Sequence, residues 1–122
     1  MTAEDVKYTY ERFMGPTNPN RGLLEQVEKI EVVDKYTVKF TMKEPFAWLL
    51  EALASTSTWI IAKEAVEQYG DLKKPESCIG TGPWMLERYE PNLRLTFVRN
   101  PNYFVPGLPH VDNVDMSIDT DP

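Results

Sequence analysis

Between Tyr36 and Lys43 the chain alternates without a break. Tyr36, Val38, Phe40 and Met42 are apolar or aromatic, and Thr37, Lys39, Thr41 and Lys43 are polar. Successive side chains of an extended strand point to opposite faces, so a period of two demands one buried face and one wet face. A strand of an all-parallel sheet, covered on both sides, would read as a continuous apolar run, so the pattern selects antiparallel pairing. The same rhythm returns where Leu93, Leu95 and Phe97 alternate with Arg94, Thr96 and Val98. It returns again where Val114, Met116 and Ile118 alternate with Asp115, Ser117 and Asp119. Lys29–Met42 is predicted to form a hairpin, with Ile30 and Val32 on one face and Asp34-Lys35 as its turn. Trp84–Tyr89 and Leu93–Arg99 form a second hairpin about Glu90-Pro91-Asn92.

Helical periodicity occupies the stretches between. Thr2 is a good N-cap, with Asp5 three residues later as a short capping-box acid. Glu4 and Asp5 also suit the positive end of the helix dipole. Val6, Tyr10, Phe13 and Met14 then share one face, and Gly15-Pro16 ends the helix. Pro45 opens a second helix, whose core stripe is Phe46, Leu49, Leu50 and Leu53. Ser55–Ser57 breaks it, and Trp59-Ile60-Ile61 is expected as a buried strand. Ala62, Ala65, Val66 and Tyr69 mark a third helix, stopped by Gly70. Helices and hairpins are mixed and hairpins predominate, which predicts an α+β fold.

Length and charge narrow the function. A chain of 122 residues suits one domain with a real core. Its net charge of −6 comes without a Lys/Arg cluster, so it is a poor partner for nucleic acid or an anionic membrane surface. One cysteine, Cys78, and one histidine, His110, make neither an internal disulfide nor a zinc framework. No apolar run approaches the ~18–20 residues that span a bilayer. Met1-Thr2-Ala3-Glu4-Asp5 is polar and acidic and carries no secretory signal.

The candidates for chemistry are thin. Cys78, His110 and Asp112 can be drawn as nucleophile, base and orienting acid, but nothing in their spacing favours it. The plainer reading is a packed thiol and a solvated loop histidine. Asp115, Ser117, Asp119 and Asp121 echo the start of a calcium loop without its glycine or closing glutamate. The wet face of a strand gives the same spacing. Gly80-Thr81-Gly82-Pro83 lacks the Lys-Ser/Thr of a phosphate loop and the third glycine of a dinucleotide fingerprint. Its glycines are expected to let two backbones approach closely, with Pro83 on a strand edge. Glu87 and Glu90 sit at an exposed hairpin end. No enzyme, cofactor or metal follows from these residues.

Taken in order, several segments form a specific series. Thr2-Ala3-Glu4-Asp5-Val6 leads into Tyr8-Thr9-Tyr10-Glu11-Arg12, and Val32–Thr41 runs into Lys43-Glu44-Pro45-Phe46. Ala62-Lys63-Glu64-Ala65-Val66 is followed by Gly80-Thr81-Gly82-Pro83-Trp84 and then by Val98-Arg99-Asn100-Pro101-Asn102-Tyr103-Phe104. The series resembles the family 5 extracytoplasmic solute-binding proteins of ABC transporters, the oligopeptide, dipeptide and nickel binders. It covers nearly the whole chain. One departure is Phe104, where the family's Asn-Pro-x-Tyr motif usually ends in Trp.

The resemblance implies an internal section of a longer binding protein that clasps its ligand between two lobes in a type II periplasmic-binding fold. It implies that residues 1–79 are a small α+β subdomain of the first lobe. Residues 80–122 are then strands returning to that lobe's main body. The intact protein would be extracytoplasmic, periplasmic or lipoprotein-anchored, and would take up a peptide or related solute with ABC permease subunits as partners. Ligand contacts within this section would be Trp59, Thr81 and Trp84, against core packing as the plainer role for each. Cut strands leave open edges, which would let the section self-associate. The alternative is a stand-alone protein-interaction domain without ligand binding.

Overall fold

The computed structural model describes residues 1–70 and 72–119. It divides into two compact units, Met1–Lys63 and the chain from Glu64 onward. The architecture is α+β, with helices set between antiparallel strands.

The first unit begins with helix α1, Ala3–Phe13. The Asp5 carboxylate accepts the Thr2 backbone N–H at 2.7 Å and closes the N-terminus as the sequence predicts. Tyr10 and Phe13 are buried, with Val6 and Met14 packed beside them. Gly15 follows the helix because a Cβ there would lie 2.9 Å from the Arg12 carbonyl oxygen. Strands β1, Val27–Asp34, and β2, Thr37–Met42, form the antiparallel hairpin. Asp34 pairs with Thr37, so the turn is Lys35-Tyr36, one residue later than the sequence suggested. The cause is local: Asp34 Oδ1 accepts the Tyr36 N–H at 2.8 Å and folds the chain back on itself. This bond holds the Asp34 carboxyl below the usual aspartate range.

The hairpin presents Val38, Phe40 and Met42 to a core centred on Tyr10, Phe13, Leu24, Val27, Ile30 and Ala52. The rings of Tyr10 and Phe40 meet edge-on, 5.7 Å between centroids. Helix α2, Leu49–Leu53, is shorter than its sequence stripe predicted. Phe46, Leu49 and Leu53 of the stripe pack against the core beside buried Ala52, and this leaves Leu50, on the other side of the helix from Ala52, 79% exposed. A single 3-10 turn, Thr56–Thr58, follows.

Trp59-Ile60-Ile61 is not a buried strand, and this expectation is corrected. Ile60 and Ile61 are half-buried, Trp59 is exposed, and no strand pairs with them among the described residues. The backbone bonds of Ile61 go to α1 instead. The Thr9 hydroxyl accepts the Ile61 N–H at 3.1 Å and donates to the Ile61 carbonyl at 3.3 Å.

Helix α3, Lys63–Tyr69, starts at the boundary between the units and ends at Gly70, whose φ is +77°. In the second unit, strands β3, Trp84–Glu90, β4, Arg94–Arg99, and β5, Asn113–Ser117, form one antiparallel sheet in that order. Leu86, Phe97 and Val114 are direct neighbours across it, as are Leu95 and Met116. Leu93 belongs to the turn before β4 rather than to the strand, where Asn92 adopts a φ of +61°. Asp121 of the acidic series lies outside the described residues.

Candidate functional site

The best-built polar arrangement of the second unit joins two of the sequence motifs. Asn100, 8% exposed, sits just after β4. Its Nδ2 donates to the Gly82 carbonyl at 2.7 Å, and its backbone N–H donates to the Pro83 carbonyl at 2.9 Å. Its Oδ1 accepts the Asn102 N–H at 3.0 Å. One asparagine thus pins the Gly80–Pro83 segment to the Asn-Pro-Asn turn. Asn before Pro was legible as a turn residue. Its two acceptors, 17 and 18 positions away in sequence, were not.

This pin fixes two of the three ligand candidates. Thr81 is exposed in the pinned segment. Trp84 is half-buried at the first position of β3, opposite Arg99. The expectation that Gly80 and Gly82 admit a second backbone is corrected: a Cβ at either would meet nothing within 4 Å. The segment is held by hydrogen bonds rather than by close backbone contact.

Trp59 belongs to the first unit and is 72% exposed. Its backbone is nonetheless anchored on both sides. Thr58 is buried, and its hydroxyl lies 2.8, 2.9 and 3.1 Å from the carbonyls of Ser55, Ala52 and Leu53. Ile61 is held by Thr9 as described. Asp5 Oδ1 also accepts the Lys63 N–H at 3.2 Å, so α1 ties down the far end of the segment. Burial raises the Asp5 pKa, but the hydrogen bonds from Thr2 and Lys63 outweigh it and hold the carboxyl below the usual range. Beside Trp59 lies a cavity of about 350 Å³. Its walls are Thr9, Arg12 and Phe13 of α1, Thr17 and Asn18 of the following turn, and Ser57, Trp59 and Ile61.

The other sequence candidates do not assemble. Cys78 is exposed, with its Sγ 4.0 Å from the Lys74 carbonyl, and Asp112 faces Arg99 at 3.8 Å. No hydrogen bond joins Cys78, His110 and Asp112. The packed thiol of the plainer reading is therefore also corrected, because the turn before β3 leaves Cys78 on the surface. Asp115 accepts the Thr96 hydroxyl across the sheet at 2.8 Å, and Glu90 pairs with Arg88 at 2.7 Å. Among the described residues, no three His, Cys, Asp or Glu side chains are grouped so as to hold a metal ion. No described helix is long and apolar enough to cross a membrane.

Comparison with known proteins places these arrangements in context. The chain is 32% identical to di/tripeptide-binding protein 3 of Pseudomonas aeruginosa (strain UCBPP-PA14), over 98% of this chain and 26% of that protein. It is 34% identical to the glutathione-binding protein GsiB of Salmonella paratyphi A, over 98% of this chain and 23% of that protein. Among solved structures it superposes on the binding protein MoaA of A. tumefaciens R10, solved with mannopinic acid. There the TM-score is 0.87 at 27% identity, covering 99% of this chain and 24% of that one. The chain therefore spans about a quarter of the length of the relatives it matches. Its residues 1–122 match the family described as bacterial extracellular solute-binding proteins, family 5, middle. The chain belongs to this family of transport binding proteins, which are not enzymes.

Proposed function

We propose that this chain is a section of the substrate-binding component of an ABC importer, and that the intact protein takes up a di- or tripeptide or a related small solute. The observation that carries the reading is the match of the entire chain to a solute-binding family, with relatives named for di/tripeptides and glutathione. The intact protein would work outside the cytoplasm, as a periplasmic protein or a lipoprotein. It would enclose its solute by hinge closure and present the closed form to ABC permease subunits. Residues 1–79 would be a small subdomain of the first lobe, and residues 80–122 would return to that lobe's main body.

Trp59, Thr81 and Trp84 are the proposed ligand contacts within this section. The exposure of Trp59 and Thr81, each on a backbone held by hydrogen bonds, supports them. An enclosing site buries most of a small ligand, roughly 70–90% of its surface, so this section would hold only part of it. The test is calorimetry on the product of the full reading frame containing these residues, titrated with di- and tripeptides and glutathione. Saturable binding that weakens in Trp59→Ala or Trp84→Ala is expected. A well-folded product that binds none of these solutes would refute the reading.

The 122-residue chain on its own would also pair copies through the outer edges of β3 or β5. Light scattering tests this, and a monomer at every concentration would exclude it.

A further inference from the structure

The cavity beside Trp59 has a charge pattern unlike that of the chain around it. The protein carries a net charge of −6, yet no acidic residue lines these walls. Their one charged group is Arg12. Its guanidinium has no carboxylate within 4.0 Å among the described residues, whereas neighbouring Glu11 is taken by Lys7 at 3.8 Å. Thr17 adds a hydroxyl with no hydrogen-bond partner among the described residues, and Ser57 a hydroxyl whose oxygen accepts from Asn20 while its proton stays available to donate. Each of these uncommitted groups, Arg12, Thr17 and Ser57, can donate a hydrogen bond. Beside them stands the Trp59 indole, exposed but carried on a fixed backbone, which is the form of an aromatic anchor.

We infer that this cavity binds the free carboxylate of a small solute whose adjoining planar or apolar group lies on Trp59. A carboxylate presents two oxygens to the fork of an arginine, and one cation neutralises one anion. A phosphate dianion would keep an unbalanced charge in the same walls. The volume, about 350 Å³, falls at the small end of ligand pockets and admits a group the size of one amino-acid residue with its terminus. The inference deepens the solute-binding reading at Trp59 by naming the chemistry of one end of the solute. It depends only on residues of the first unit.

The test is an NMR titration of the 122-residue chain with hippurate, following the Trp59 indole N–H resonance assigned through Trp59→Phe. Hippuramide serves as the neutral control and phenyl phosphate as the dianion. Saturable shifts at Trp59 and at the Arg12 and Thr17 amides are expected with hippurate. Hippuramide and the Arg12→Gln variant should bind roughly tenfold more weakly or worse, the loss of one charge-assisted bond. Arg12→Lys should fall between, since it keeps the charge and loses the fork. A dispersed amide spectrum confirms that each variant is folded. Equal binding of hippuramide, indifference to Arg12→Gln, or tighter binding of phenyl phosphate would each overturn the assignment. Peptide binding by the longer protein without any hippurate effect on Trp59 would overturn this inference alone and leave the importer reading standing.

Discussion

Replacing Asn100 by alanine should release the Gly80–Pro83 segment while leaving the sheet in place. The substitution removes the 2.7 Å bond to Gly82 and the 3.0 Å bond from Asn102. It keeps the backbone bonds Asn100 N–H to Pro83 O and Tyr103 N–H to Asn100 O. Asn100 is buried, so water replaces the lost partners poorly. A net contribution of about 0.5–1.5 kcal/mol per hydrogen bond makes the expected loss about 1–3 kcal/mol. The assay is urea denaturation combined with residue-resolved amide exchange, in which Asn102 should exchange faster and the β4 amides should not. Asn100→Asp provides the matching control. It keeps the acceptor for Asn102 but sets a carboxylate against the Gly82 carbonyl, so its folded pKa is raised. A raised folded pKa gives stability that is present at acid pH and lost as pH rises through that value. A loss below about 0.5 kcal/mol for Asn100→Ala, with unchanged exchange at Asn102, would refute the pinning role. So would an Asn100→Asp variant that gains stability as pH rises.

Three further outcomes follow from the first unit. Leu24 is fully buried, so Leu24→Ala should cost about 2–5 kcal/mol, read as a lowered urea midpoint. Gly15→Ala should destabilise by roughly 1–3 kcal/mol, because the new Cβ meets a backbone oxygen that cannot swing aside; a thermal melt checks it. Asp5 has a depressed folded pKa, so its stabilisation is complete above the unfolded pKa and disappears as pH falls through the folded one. Asp5→Asn should therefore flatten the acid limb of the stability curve, measured by denaturation between neutral pH and the acid range.

What could be read in advance was whatever depends on neighbours in sequence. The inner face of α1, the alternation of β2, the three strands of the second unit and the stop at Gly70 all follow from periods of 3.6 or two, or from one backbone angle. The ordered motifs carried the family. The misreadings arose where a distant group decides the outcome. Trp59-Ile60-Ile61 has the composition of a strand, but the backbone of Ile61 is satisfied by a hydroxyl 52 positions earlier. Leu50 fits a helical stripe, but the core that α2 packs against takes Leu49, Ala52 and Leu53 and leaves Leu50 outside. Thr81 and Trp84 could be named from their motif, whereas the asparagine that positions them showed only a turn signal. The cavity was invisible for the same reason: its walls come from α1, the turn after it, and a segment about 40 residues further on.

The reciprocal pair between Thr9 and Ile61 also bears on how this stretch of chain tolerates mutation. It asks for a hydroxyl at position 9 but uses only main-chain atoms at position 61. As far as the bond is concerned, residue 61 can drift among all types except proline, which lacks the N–H. Residue 9 is confined to threonine or serine. A library randomised at both sites and selected for folding should return a narrow alphabet at one position and a broad one at the other. The instruction that keeps Trp59 in place is thus written largely in a different helix, and a survey of variation around Trp59 itself would miss it.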